Sequence, residues 1–374
     1  MTKSNCKSIL LSAYACEPYK GSEPSVGWKY VIDSSNKFSS VHVVTRRNNK
    51  STIDAYLNTH RLKNVTFHYH DLNKFFLFLK RKFNLTNIYA YLWEISLFFF
   101  LARKFGNNYF DVSRKVTFVS YKFPSFLWFF SKKFILGPIG GGENFPISFI
   151  KYFPIKAKVK ELFRLLLNYF YLFDPLVILT FCKADQIQVV NSTTYNFLPY
   201  FKKKSFIQPA ISVNPFDFNE FKSASNRNNK ITQFLYVGRL IHWKGLLFAL
   251  MALRDIPSFK YHLKVIGSGS DEAFFKNYVQ KYNLNVEFIP NVPRRNLSSY
   301  FTSCDYFIFF SLHDSGGMVV KEAKYHGAKV IISNFGGLRH INTDKNDIVI
   351  RSIKVVDFIS KIKETFEKVI FSQK

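Results

Sequence analysis

Ser311–Gly327 reads SLHDSGGMVVKEAKYHG. It follows Asp305–Phe310 (DYFIFF), an aromatic and β-branched run with the look of a buried strand, and from about Met318 its pattern turns helical. The stretch is therefore read as a strand–loop–helix junction. Gly316 and Gly317 let the backbone come close to a ligand and leave free N–H groups at the helix start, which suits a phosphate. Asp314 falls in the loop and Glu322 on the first turns of the helix. Two carboxylates so placed can accept hydrogen bonds from sugar hydroxyls. The same residues also suit an ordinary junction whose acids cap the helix.

Working outward, the same alternation fills the chain. Gln233–Val237, His262–Ile266, Val286–Phe288 and Lys329–Ser333 read as further strands around Asp305–Phe310, with helical runs between them. The first half behaves alike: Ser8–Tyr14, Val41–Thr45, Val65–His70, Lys115–Ser120, Lys133–Leu136 and Gln186–Val190 read as strands, a helix opens near Ser25, and Ser51 with Asp54 resembles a capping box. Strands alternating with helices predict α/β architecture with parallel, doubly wound sheets. The polar, aperiodic stretch 214–230 reads as a linker. The expected division is an N-terminal Rossmann-like domain over 1–211, a hinge over 212–230 and a C-terminal Rossmann-like domain over 231–374.

Four further motifs stand where such sheets bind ligands. Val237–Gly245 (VGRLIHWKG) follows a strand and brings Arg239 and Lys244 near one helix start, where both can pair with a diphosphate. Ile266–Asp271 (IGSGSD) is a glycine turn containing Gly267. Gly137–Glu143 (GPIGGGE) has a backbone able to bend around a ligand, or simply a flexible loop. Tyr14–Trp28 (YACEPYKGSEPSVGW) places Gly21 after the first strand, at the carboxyl end where open α/β sheets take ligands.

Composition narrows the function classes. The chain has 374 residues, 47% of them apolar, enough for real cores and against intrinsic disorder. Its net charge of +28 predicts an anionic partner: nucleic acid, an acidic lipid surface or phosphorylated substrates. Cys6, Cys16, Cys182 and Cys304 lack the spacing of a disulfide framework or a zinc site. The first residues hold too short an apolar run for a secretory signal, so a cytoplasmic location is expected. Phe163–Cys182 is apolar but broken by Arg164, Asn168, Asp174 and Pro175, and reads as a buried or interfacial helix instead of a span. Residues 1–210 carry 30 Lys+Arg against 11 Asp+Glu, a net +19, and hold the aromatic stretches Phe75–Phe83, Tyr89–Phe105 and Phe123–Phe134. Basic residues interleaved with rings suit a surface against anionic lipid; an aromatic core under a solvated basic surface gives the same pattern. Nucleic-acid binding through phosphates is disfavoured, because no RNA- or DNA-binding motif is present. No signal speaks to oligomeric state.

The blocks SAYACEP…GSEP, VTF, PSFLW, GPIGGGE, VGRL..WKG and SLHDSGGMVV.EA occur in this order over about residues 8–350. Together they resemble the nucleotide-sugar-dependent glycosyltransferases of family 4, in a subgroup with HDSGG, which adopt the GT-B fold: two Rossmann-like domains facing a central cleft. The resemblance implies a retaining glycosyltransferase, without cofactor or metal, that moves a sugar from a nucleotide-diphosphate donor to a glycan acceptor. That acceptor would be lipid-linked, as in capsule, O-antigen or exopolysaccharide assembly, at the inner face of the cytoplasmic membrane. It implies that Arg239 and Lys244 neutralise the donor diphosphate, that Glu322 holds the ribose hydroxyls and that Asp314 contacts the donor sugar. Gly21, Gly267, Gly316, Gly317, Met318 and Val319 would line the donor.

Two departures accompany the resemblance. Close relatives carry a histidine pair facing the acceptor, where this chain has Arg114 and Lys115. With Glu143 these form the acceptor-side candidates. Since a guanidinium is no general base near neutral pH, either the donor phosphate itself serves or the protein is a catalytically impaired partner of an active enzyme. The resemblance also leads one to expect a crossover helix after Val355–Ile370 (VVDFISKIKETFEKVI), for which little sequence remains.

Overall fold

The computed structural model describes residues 7–21, 23–83, 85–118, 120–198, 201–210 and 231–372. The expected hinge at 212–230 therefore lies outside the described residues. The chain forms two compact units: Met1–Gly142 with Leu166–Ile211, and Glu143–Leu165 with Ser212–Lys374. The division is discontinuous. Glu143–Leu165, assigned above to the first domain, belongs to the second, because Phe145, Phe149, Ile150, Phe153 and Ala157 are buried in the core of that unit.

The first unit is built on β1 (Ser8–Ser12), β2 (Ser40–Thr45), β3 (Val65–Tyr69), β4 (Phe110–Lys115), β5 (Ser131–Ile139), β6 (Gln186–Val189) and β7 (Ser205–Ile207). They form one sheet in the order β3-β2-β1-β4-β5-β6-β7, with every pairing parallel. Its helices are α1 (Glu23–Ser35), α2 (Lys50–Thr59), α3 (Lys74–Phe83), α4 (Thr86–Ala102), the last turn of α5 (Ile155–Phe170, the rest of which belongs to the second unit), α6 (Pro175–Lys183) and α7 (Ser192–Phe197). The second unit has β8 (Thr232–Val237), β9 (Tyr261–Ile266), β10 (Val286–Ile289), β11 (Tyr306–Phe309), β12 (Lys329–Ser333) and β13 (Ile348–Ile350), parallel in the order β10-β9-β8-β11-β12-β13. Around them lie α8 (Leu246–Leu253), α9 (Glu272–Lys281), α10 (Leu297–Ser303), α11 (Met318–Tyr325) and α12 (Val355–Phe371). Both sheets reverse direction at a switch point, between β1 and β4 and between β8 and β11, where doubly wound sheets hold ligands. These two units are the pair that defines the GT-B class.

Three local expectations are corrected. The strand expected over Lys115–Ser120 ends where it was expected to begin. Its polar sequence FDVSRK hid it: Asp111 accepts the amides of Lys7 and Ser8, both at 3.1 Å, and the Ser113 hydroxyl donates to the Leu127 carbonyl at 3.1 Å. The capping box does not form, since α2 begins at Lys50 behind a 3₁₀ turn and its N-cap, Asn49, makes no side-chain cap. Instead the Asn49 amide donates to the Tyr14 carbonyl and the Thr45 hydroxyl. Third, two of the aromatic stretches are core. Tyr89, Trp93, Leu97 and Leu101 of α4 are buried together with Phe123, Leu127, Phe130 and Phe134. On α3, by contrast, Phe75, Phe78 and Phe83 stand in solvent, as does Phe99 on α4.

Candidate functional site

The second unit assembles its site where β8 and β11 end side by side. After β8 the chain makes a 3₁₀ turn, His242–Lys244, closed by Gly245 in the left-handed region (φ 79°). A Cβ on Gly245 would lie 2.0 Å from the Phe310 carbonyl oxygen, so only glycine lets this turn rest on the end of β11. The Leu312 amide then donates to the Trp243 carbonyl at 2.8 Å. This stitching puts Lys244 next to Asp314. The Lys244 ammonium bonds the Asp314 carboxylate, and both side chains are largely buried. The second carboxylate oxygen accepts the amides of Gly317 at 2.6 Å and Gly316 at 3.1 Å. Burial works to raise the Asp314 pKa, but the Lys244 charge and hydrogen bond and the two amides outweigh it and lower it. Asp314 stays ionised.

The amides expected to be free for a donor are thus engaged by Asp314 itself. Gly317, the N-cap of α11, is left-handed (φ 57°), whereas a Cβ on Gly316 would meet nothing within 4 Å. The loop 335–337, unnoticed in the sequence, closes the other side. The Gly337 amide donates to the Asp314 carbonyl at 2.6 Å, and a Cβ on Gly336 would lie 2.7 Å from that oxygen and 3.3 Å from Glu143 Cγ. Glu143 is thereby a buried neighbour of the Asp314 loop.

Arg239 is exposed, 5.9 Å from the Trp243 ring centroid, and makes no ion pair among the described residues. It is thus an available cation next to the turn that carries Lys244, as is Lys321 on α11, whose charge acts on Asp314. Glu322 is buried on α11 and bonded by Arg294 at 2.5 Å, so Asp314 and Glu322 have separate cations. Arg294 was not singled out in the sequence, where it is one of two arginines in a polar loop. Met318 and Val319 are half-buried on the first turn of α11. Gly267 has a structural reason to be glycine: its φ is 142° and a Cβ would lie 2.0 Å from the Gly238 carbonyl oxygen.

A buried charge network backs the turn. His242 Nδ1 lies 3.1 Å from Asp271 and its Nε2 lies 3.2 Å from Glu161, which also takes Arg164 Nε at 2.7 Å. Burial works to raise the Glu161 pKa, but the His242 hydrogen bond and the Arg164 charge override it and lower it to about 2. His313 is stacked between Phe145 and Trp243, and its buried Nε2 has no hydrogen-bond partner. Burial holds that imidazole neutral, with its pKa well below the usual value.

The first-unit candidates behave differently. Arg114 donates to the Gly137 carbonyl at 3.1 Å, to Tyr30 Oη at 3.1 Å and to Gln188, with its guanidinium 4.5 Å from the Tyr30 ring centroid. Lys115 is 1% exposed, ion-paired with Glu94 at 3.0 Å and bonded to the carbonyls of Phe123 and Pro124. As strand neighbours they point to opposite faces, and both charges are engaged by groups of the first unit. Gly21 sits half-buried in the loop after β1, near the Lys20–Glu17 pair.

Residues 217–370 match the family described as "Glycosyl transferases group 1". The matched stretch lies within the second unit, which is similar over it to glycosyltransferases of that group. An uncharacterized glycosyltransferase, MJ1607, of Methanocaldococcus jannaschii is 26% identical over 144 residues, 34% of this chain and 36% of the relative. An uncharacterized 41.2 kDa protein in the cps region of Klebsiella pneumoniae is 30% identical over 110 residues, 29% of this chain and 30% of the relative. The chain thus spans about a third of the length of these curated relatives. Among solved structures, WaaG, a glycosyltransferase involved in lipopolysaccharide biosynthesis, superposes with a TM-score of 0.59 at 14% identity, covering 97% of this chain and 90% of WaaG. Anabaena Alr3699/HepE in complex with UDP and glucose gives 0.58 at 12% identity, covering 97% and 90%. At such identities the likeness is one of fold.

Proposed function

We propose that the protein is a retaining glycosyltransferase that takes a sugar from a nucleotide-diphosphate donor and passes it to a glycan acceptor, lipid-linked, in bacterial surface polysaccharide assembly. The observation that carries this reading is the Lys244–Asp314 pair at the β8/β11 switch point, with the unpaired Arg239 beside it. A diphosphate entering there meets Arg239 directly and draws Lys244 away from Asp314. The two cations stabilise the charge that develops on the leaving nucleotide. Asp314 and Glu322 accept hydrogen bonds from the sugar and ribose. The diphosphate charge is met by side chains, and we propose that no metal or cofactor takes part.

The polysaccharide setting is supported by the relative from a cps region and by the fold shared with WaaG. The UDP complex of HepE supports a nucleotide-sugar donor. The net +19 of residues 1–210 supports work at an anionic membrane surface from the cytoplasmic side. Among the described residues no single helix is long and apolar enough to cross a membrane. The test is incubation with UDP- and GDP-sugars and a lipid-linked glycan acceptor, with the anomeric configuration of the product read by NMR. Transfer with retention is expected. Absence of nucleotide release from every donor, with Glu322→Ala behaving as wild type, would overturn the proposal.

A further inference from the structure

The helix α5 inverts the usual order of an amphipathic helix. A surface helix normally turns its apolar stripe inward. Here Ile155, Val159, Leu162, Phe163, Leu166 and Phe170 are each 53–79% exposed, as is Tyr169. The buried positions are Ala157, Glu161 and Asn168, of which two are polar. At roughly 100° per residue the exposed apolar side chains span an arc of about 120°, and Lys156 and Lys158 stand about 20° outside its two edges. The one acid of the helix, Glu161, is on the opposite face, tied to His242 and Arg164.

We infer that α5 docks on an anionic lipid bilayer, lying in the plane of the interface with this stripe among the acyl chains. The two flanking lysines can snorkel to the headgroups while their stems cover the stripe's edges. The helix has 16 residues, so at 1.5 Å each it is about 24 Å long, too short to span a hydrocarbon core of about 30 Å. With α6 it reaches spanning length only across a 58° bend, and α6 has Val177 and Phe181 committed to the core of the first unit. A second copy is a poorer occupant, because it would bring the same lysine rims together on a chain of net charge +28. The inference rests on the membrane part of the proposed function and not on sugar transfer. It assigns the contact to α5 instead of the Phe75–Phe83 stretch.

The test is sedimentation of the full chain with vesicles of equal parts phosphatidylglycerol and phosphatidylcholine, and with phosphatidylcholine alone. Wild type is expected to bind the mixed vesicles, and L162E/L166E to lower its partition coefficient by at least about tenfold. F75E/F78E should retain most of the binding. Both leucines are exposed, so the melting temperature should hold. Should L162E/L166E not fold, K156A/K158A decides, with an expected loss of about tenfold or more that disappears at high salt. Wild type that ignores both vesicles would overturn the membrane reading and this inference together. Wild type that binds while the α5 variants match it would overturn this inference alone. So would equal binding to neutral vesicles, or a concentration-dependent dimer that L162E/L166E abolishes.

Discussion

Asp314 holds Lys244 with one carboxylate oxygen and the amide of Gly317 with the other, at 2.6 Å. A single acid therefore occupies both the cation and the helix-start amide that a phosphate would use. Lys244 balances Asp314 before anything binds, and Lys321, whose charge acts on Asp314, and the exposed Arg239 add further positive charge.

The neighbouring glycines separate stability from binding. Gly317 is left-handed and a Cβ there would come within 2.6 Å of Ile341. Gly317→Ala should lower stability by about 1–2 kcal/mol, read by urea unfolding. Gly316 faces open space, so Gly316→Ala should leave the unfolding curve in place and weaken nucleotide binding, read by calorimetry. An unchanged affinity would mean that the donor backbone contact lies elsewhere.

Glu161 links acid stability to the turn that carries Lys244. Its pKa of about 2, against the ordinary 4.5, means the folded state binds the proton less readily than the unfolded chain. The stability it contributes is complete above about pH 4.5 and is lost as pH falls toward 2. Glu161→Gln should flatten the stability–pH curve in that window. An unaltered slope would assign the acid sensitivity to other carboxylates.

His68, stacked on His42, acts in the upper part of the acid range. Their rings stack with Nδ1 and Nε2 3.0 Å apart, with Phe105 edge-on and Lys104 nearby. Burial and the neighbouring His42 and Lys104 lower the His68 pKa to about 4. Between pH 4 and 6.5 the unfolded chain holds more protons, so stability should rise with pH there. His68→Gln should remove much of that rise in thermal melts taken at stepped pH.

Lys115 and Glu94 form a buried pair in the first unit. Burial lowers the lysine pKa and raises that of the glutamate. Lys115→Met alone should cost about 3–5 kcal/mol by leaving Glu94 uncompensated, whereas Lys115→Met with Glu94→Leu should recover most of it. Double-mutant unfolding measures this. A lysine that served an acceptor would instead spare stability and reduce turnover.

The sheet strands with apolar alternation were legible, as was the junction at Met318, because hydrophobic period and glycine placement are local signals. β4 was misplaced since its polar residues are satisfied by distant partners such as Ser8 and Gln188. Asp314 and Lys244 were each singled out, but their direct bond depends on Gly245 passing the end of β11, which no spacing reveals. Arg294, Glu161 and the 335–337 loop join the site from remote positions. Charge alone could not separate core aromatics from surface ones: α4 hides Tyr89 and Trp93 but exposes Phe99, and the exposed face of α5 shows only once its polar residues are seen buried.

In the proposed reaction Lys244 and Arg239 receive a nucleotide diphosphate at the β8/β11 switch point. Calorimetric titration of UDP and GDP into wild type, Lys244→Ala and Arg239→Ala tests it most directly. Wild type is expected to bind at least one nucleotide, with a loss of about tenfold or more in each variant and melting temperatures of the free proteins showing that the fold persists. Binding of neither nucleotide by the folded wild type, or equal affinity in all three proteins, would contradict it.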